Sequence, residues 1–378
     1  MDLRVSRVVK LDGGQRRDDA NNCRTGIIIP GGVAVDRGLR ELFVSHYRYI
    51  RKVVTRFAKP GVAVVAIDEH RNQVAGSVCV AAKVGSINTA VVGRHNRADL
   101  YLNHDASLSL RHLALVIDPL RSCDRSTDVR YRVLDLRSGT AFDDEHGNTV
   151  EAVTAEGPVF IRCGSYVLFC VTTDDRDASQ VWPKDANDGW DCIPERVYLQ
   201  KRTADPDRWQ RERHQPTFHQ PSFHEHTGEL DLNRSKADRI TLVGTSPGPL
   251  AANAELLADG EQPLGRMRIW TRKRSENLIV GASALERGIL LGRYDRCESN
   301  ARSVMRRDSI SRVHMLLLRV DGQNYVIDTA SSNGTWLDVR DEAQPDGDDW
   351  RKVRNMPLAT GLTFCLGNER TRARWTDE

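Results

Sequence analysis

Three short clusters carry the side chains best suited to hold an anion: Leu291-Gly292-Arg293, Ser309-Ile310-Ser311-Arg312-Val313-His314, and Asp328-Thr329-Ala330-Ser331-Ser332-Asn333-Gly334-Thr335. Each sits at the end of an apolar run, so each is expected at a loop tip. Together they offer guanidinium groups at Arg293 and Arg312, hydroxyls at Ser311 and Ser332, and the Asn333 amide. An arginine presents a planar, charge-assisted fork to an oxyanion, and hydroxyls add neutral donors. Taken singly, each group also has a plain alternative: a surface ion pair for Arg293, a turn hydroxyl for Ser311, a satisfied buried imidazole for His314, a turn for Asn333-Gly334.

The elements that must position these clusters are short strands. Ile289 to Leu291, Met315 to Val320 and Tyr325 to Ile327 are rich in Leu, Val, Ile and Tyr. Asp321-Gly322 and Asn333-Gly334 are turn dipeptides that favour tight hairpins. The pattern predicts a β-sandwich with its loops gathered at one end, where the loops bind and the sheets hold them.

In order and spacing, Gly292-Arg293, then Ser311 with His314 three residues on, then Asn333-Gly334 closely resemble the forkhead-associated (FHA) domain, a phosphothreonine-binding β-sandwich. A phosphothreonine carries about −1.5 to −2 charge and three acceptor oxygens, so its pocket needs a fixed cation and several donors. The resemblance implies that Arg293, Ser311, Arg312, Ser332 and Asn333 bind the phosphopeptide, Asn333 by holding the main chain of the peptide, while Gly292, His314 and Gly334 shape the loops. It also implies a Thr-phosphorylated partner, either a Ser/Thr kinase substrate or the kinase itself.

The first half repeats the pattern. Val91-Val92-Gly93-Arg94, Ser107-Leu108-Ser109-Leu110-Arg111-His112 and Tyr131-Arg132-Val133-Leu134-Asp135 parallel the C-terminal segments in order. A second FHA-like sandwich is therefore expected over about residues 77–172, with an insertion around Pro119 to Asp128. This copy departs where peptide would be held. From Asp135 to Gly139 the chain is two residues shorter than from Asp328 to Gly334, Ser138 stands where Asn333 would be, and Leu110 replaces Arg312. Arg94, Ser109 and His112 thus form a degenerate site. The copy is expected to serve scaffolding, intramolecular packing or self-association, with retained phosphopeptide binding as the alternative.

Ahead of it, residues 1–76 read as an extension. A polar stretch to about residue 25 precedes a helix from Asp36 to Lys59, with Leu39, Leu42, Phe43, Tyr47, Ile50, Val53, Val54 and Phe57 on one face and Arg40, Arg48, Arg51, Lys52 and Arg56 on the other. Such a helix packs on its own domain with its arginines solvated; an anionic membrane surface or acidic partner is the alternative. Val62 to Ile67 and Ser77 to Ala82 follow as strands around a polar turn.

Residues 173–262 read as a long polar linker. It contains the repeat Gln215-Pro216-Thr217-Phe218-His219, Gln220-Pro221-Ser222-Phe223-His224 and a short helix suggested by Leu250 to Ala258. The repeat's histidines could chelate a metal, but without cysteines the stretch reads as a linker or docking peptide. Thr203 and Thr217 there are candidates to enter the chain's own pocket once phosphorylated. The intact sandwich then spans 263–378, opening with strands at Arg266 to Trp270 and Leu278 to Val280. Arg302, Arg306 and Arg307 would favour acidic residues beside the phosphothreonine, or simply form a solvated basic loop.

At 378 residues the chain exceeds one ordinary domain. A net charge of +3 gives no argument for nucleic acid. No apolar run is long enough to cross a bilayer and Met1-Asp2-Leu3-Arg4 lacks a signal-peptide core, so a cytoplasmic protein is expected. The eight cysteines show no C-x-x-C spacing and read as reduced thiols without zinc. Without a P-loop, G-x-S-x-G, H-E-x-x-H or kinase signature, no enzyme and no cofactor are expected. The expectation is an all-β dominated chain: two FHA-type β-sandwiches joined by a long polar linker, with an N-terminal amphipathic helix. The resemblance makes it a phosphothreonine-dependent adaptor, and the rival is a phosphate-independent scaffold that uses the sandwiches as interaction platforms.

Overall fold

The computed structural model describes residues 38–57, 59–120, 129–173, 182–200, 240–298, 301–338, 350–367 and 371–377. The polar stretch 1–25, most of the Pro119 to Asp128 insertion, Thr203, Thr217 and the histidine-containing repeat lie outside the described residues, as does the Arg302 side chain.

The amphipathic helix runs Leu39–Arg56 and buries Leu42, Phe43, Tyr47, Ile50 and Val54, the three-to-four-residue spacing that puts side chains on one face. That face lies on Ala63, Val65 and Ile67 of the next strand and on Phe160, Val167 and Phe169. Arg40, Arg48, Lys52 and Arg56 are exposed, while Arg51 Nε donates to the Trp182 carbonyl at 3.2 Å. The helix packs on its own domain.

Four sheets stack beyond it. Sheet 1 orders its strands Gln73–Ala81, Gly61–Asp68, Tyr166–Thr173, Val159–Cys163, Phe142–Asp143 and Thr149–Val150. Sheet 2 runs Glu195–Gln200, Ile240–Ser246, Ala152–Ala155, Tyr131–Asp135, Leu113–Ile117, Asn88–Gly93 and Leu100–Tyr101. Val62, Val64, Leu113, Leu115, Val133 and Leu168 fill the core between these two. Sheet 3 comprises Ile289–Leu291, Met315–Val320, Gln323–Asp328 and Asn355–Pro357, and sheet 4 Ser275–Val280, Gly265–Trp270, Arg372–Asp377, Thr363–Leu366, Thr335–Asp338 and Trp350–Val353. Met267, Leu291, Leu317, Val326, Phe364 and Trp375 fill their core. Asp321 and Gly322, at φ 47° and 81°, close the two-residue hairpin between Val320 and Gln323.

The two sandwiches pack sheet on sheet. Side chains alternate along a strand, so the residues between the core positions point out of the sandwich. Val91, Ala114, Val116 and Leu134 of sheet 2 there meet Leu290, Leu316, Leu318 and Ile327 of sheet 3 in one buried cluster. Both inner sheets are thereby covered on both faces, which is why Leu113–Ile117 and most of Met315–Val320 are unbroken apolar runs. At the rim Arg354 pairs with Asp99, Asn355 Nδ2 donates to the Ile87 carbonyl at 3.0 Å, and Arg132 Nη1 to the Arg319 carbonyl at 3.3 Å.

Several expected boundaries shift. The hairpin Gly61–Asp68 and Gln73–Ala81 is part of sheet 1, paired with Tyr166–Thr173, so a boundary at residue 77 would cut a strand. Part of the expected linker is folded: the helix Ala186–Asp191 lies against the N-terminal helix, and Glu195–Gln200 pairs in parallel with Ile240–Ser246 on the edge of sheet 2. Leu250 to Ala258 is not helical. Asn253 takes φ 65°, and the stretch is held by turns while Leu250 and Leu256 enter the C-terminal core. Asn333-Gly334 does not close a hairpin; it carries the chain from sheet 3 to sheet 4.

Among the described residues no helix is long and apolar enough to cross a membrane, and no cluster of three or more His, Cys, Asp or Glu could hold a metal ion. Cys163, Cys170 and Cys297 are buried free thiols.

Candidate functional site

Strand register gathers the three clusters. Leu291 pairs with Met315, and Met315 with Asp328, so the end of one strand, the start of the next and the end of the third lie side by side at one end of sheet 3. The backbone pairing continues into the loops: Arg293 N–H donates to the Ser311 carbonyl at 3.1 Å, Tyr294 N–H to Arg312 at 3.0 Å, and Thr329 N–H to His314 at 3.0 Å. Gly292 is required where the first two loops cross, because a Cβ there would lie 2.1 Å from the Arg312 carbonyl oxygen.

His314 ties the second loop to the third. It is fully buried; its Nδ1 accepts the Ser311 N–H at 3.1 Å, so Nε2 carries the proton and donates to the Gly334 carbonyl at 3.2 Å. Burial holds the imidazole neutral, its pKa lowered to about 4. Asp328 folds the third loop, accepting from Ser331 N–H at 2.7 Å, Ser331 Oγ at 2.6 Å and Thr335 Oγ1 at 2.8 Å. Ser331 Oγ in turn accepts the Gly334 N–H at 2.9 Å.

On this frame Arg293, Arg312, Ser332 and Asn333 are exposed, and Ser311 is largely buried between them. Arg293 faces Asp308 across 3.8 Å, and the Asp308 side chain is fully solvated, so the pair is loose and its guanidinium remains open to an anion. Ser311 Oγ accepts the Ser332 N–H at 2.9 Å and an Arg111 N–H at 3.4 Å. With both acceptor positions taken, its own hydrogen remains to be donated. Asn333 Nδ2 donates to the Ser309 carbonyl at 2.8 Å, which fixes the amide.

The N-terminal sandwich repeats the frame. Leu113 pairs with both Val92 and Asp135. His112 Nδ1 accepts the Ser109 N–H at 3.1 Å, and Nε2 donates to the Ala141 carbonyl at 2.9 Å. Ala141 N–H donates to Ser138 Oγ at 3.1 Å, as Gly334 does to Ser331. This corrects the expected alignment: the third loop is not two residues shorter. Ala141 stands for Gly334 at φ 53°, Thr140 for Asn333, Gly139 for Ser332 and Ser138 for Ser331. Two donors of this copy are turned onto its own backbone: Arg94 Nε bonds the Leu108 carbonyl at 3.1 Å and Ser109 Oγ the Ser138 carbonyl at 3.2 Å.

Four residues near the site escaped the sequence reading. The hub role of Asp328 was signalled by its counterpart Asp135 in the repeat. Lys352 places its Cε 2.7 Å from where a Gly334 Cβ would be. Arg97 and Arg111 arrive from the other sandwich, and nothing local marks them.

The family model for the FHA domain matches residues 289–367. No curated protein matches the chain. Among solved structures, the chain is similar to the first FHA domain of Mycobacterium tuberculosis Rv1747, at 18% identity over 30% of this chain and 97% of that one, TM-score 0.22. It is similar to the FHA domain of Chlamydia trachomatis CT664, at 16% identity over 30% and 98%, TM-score 0.24. It is also similar to Mycobacterium tuberculosis EmbR in complex with a low affinity phosphopeptide, at 17% identity over 33% and 27%, TM-score 0.23. The span matched by the family begins at the strand before Gly292 and ends at Gly367, whose N–H bonds the Gly334 carbonyl, so it encloses all three loops: this chain carries an FHA domain at residues 289–367.

Proposed function

We propose that the C-terminal sandwich binds a threonine-phosphorylated protein and that the chain acts as an adaptor in Ser/Thr kinase signalling. The observation that carries this reading is Arg293: an exposed guanidinium, loosely paired, on a rim whose loops are cross-braced by His314 and Asp328. Arg312, Ser332 and Asn333 share that rim, and the Ser311 hydroxyl hydrogen is unspent. This is the donor set a phosphate ester needs. The N-terminal sandwich, with its arginine and serine turned onto its own backbone, contributes packing rather than a second phosphate site. An oriented phosphopeptide library screened against the full chain, with Arg293→Ala as control, tests the reading. Binding that requires the phosphate and Arg293 supports it, and partner capture unaffected by Arg293→Ala supports the phosphate-independent scaffold instead.

A further inference from the structure

The interface between the sandwiches reaches beneath the pocket. Arg111 of the N-terminal sandwich is 5% exposed. Its Nε and Nη2 donate to the Ala330 carbonyl at 3.1 and 2.7 Å, and Nη2 also reaches Ser311 Oγ at 3.4 Å. Arg97 donates Nη1 to the carbonyls of Ser331 and Ser332. Every one of these acceptors lies in the two loops that carry the candidate hydroxyl donors.

Burying a guanidinium is costly unless its hydrogen bonds are met and a counter-charge is near. Arg111 has the Ala330 carbonyl, the Ser311 hydroxyl and the neighbouring Asp328 carboxylate. The docked arrangement is therefore stable only with those loop atoms where they stand, and the loop and the arginine fix each other. The counterpart of Arg111 in the C-terminal repeat is Val313, one residue before His314, so this arginine is not a requirement of the loop frame itself. Its side-chain hydrogen bonds go to the other domain's pocket loops.

We propose that the phosphate pocket is a two-domain site in which Arg111 and Arg97 are positioning residues: they hold the Ser311 hydroxyl and the backbone that carries the Ser332 hydroxyl, so that both hydroxyls are presented to a phosphomonoester on a peptide. The N-terminal sandwich, its own arginine pinned, thereby serves its neighbour's pocket. The inference rests on the phosphothreonine reading above.

The test uses the full chain and a fluorescent phosphothreonine peptide taken from the library, with its unphosphorylated form. Arg111→Met is expected to weaken phosphopeptide binding about tenfold or more and Arg111→Lys to recover part of it. Arg97→Ala, which removes an exposed side chain and so leaves folding intact, is expected to weaken it a few-fold. The loss should be confined to the phosphorylated peptide. Amide hydrogen exchange at Ser332, whose N–H is held by Ser311 Oγ, should quicken in Arg111→Met. Should Arg111→Met fail to fold, Arg97→Ala and Arg111→Lys decide. Wild-type affinity in the folded variants, with Ser332 exchange unchanged, overturns the inference while leaving the phosphothreonine reading intact. A wild-type chain that binds no phosphothreonine peptide overturns that reading, and the two-domain pocket falls with it.

Discussion

Arg97 and Arg296 stand at equivalent places, each four residues after its loop glycine, and reach across the interface in opposite directions. Arg97 donates to the Ser331 and Ser332 carbonyls, and Arg296 Nη1 donates to the Arg137 carbonyl at 3.1 Å. The two sandwiches are thus related by an approximate two-fold, as subunits are in an isologous dimer, but within one chain. The apolar cluster between them contains the fully buried Leu290, Leu316 and Leu318. Each such side chain contributes about 1.5–3 kcal/mol relative to an exposed one, so docking is an energetic part of the fold.

Cooperative unfolding follows from that interface. The wild-type chain should melt in a single calorimetric transition, and Leu316→Asp, which would bury an unpaired carboxylate there, should split it in two. Two transitions already present in the wild type would contradict the buried interface.

Acid should loosen the pocket through His314. Its ordinary value is 6.5 and its folded value about 4, because burial disfavours the charged form. The unfolded chain therefore takes the proton first: stability is full above about pH 6.5 and declines as pH falls toward 4. The decline from this group is on the order of 3 kcal/mol. His112 is lowered in the same direction, also by burial. Urea midpoints measured between pH 7.5 and 4 should show a shallower decline in His314→Gln than in wild type, and equal slopes would refute the assignment.

Gly292→Ala should destabilise the C-terminal sandwich by about 1–3 kcal/mol, since the added Cβ meets backbone rather than a yielding side chain. Gly93→Ala meets the Leu110 carbonyl oxygen at 2.5 Å and should behave alike in the N-terminal copy. Gly38→Ala, with nothing within 4 Å, is the control and should stay within about 0.5 kcal/mol. Melting midpoints rank the three.

Arg293→Ala should leave the melting midpoint unchanged, because the side chain is exposed and only loosely paired. If the proposed function holds, phosphopeptide affinity should fall about 10- to 100-fold by titration calorimetry.

The sequence by itself determined the strands around the three loops, the hairpin at Asp321-Gly322, the order of the clusters and their repetition in the first half. Those signals are local, residing in apolar runs, turn residues and spacing within a few residues. Tertiary structure alone decided that Ala141 answers to Gly334, because the match is set by a hydrogen bond from His112 and not by residue type. It also decided that residues 61–81, 195–200 and 240–246 join the first sandwich, through pairings with strands far along the chain. The strands Leu113–Ile117 and Met315–Leu318 are buried on both faces, and neither apolar run by itself says that each covers the other. Arg111 carried no signal at all, for a lone arginine acquires meaning only when docking removes its water and leaves the Ala330 carbonyl and the Ser311 hydroxyl to replace it.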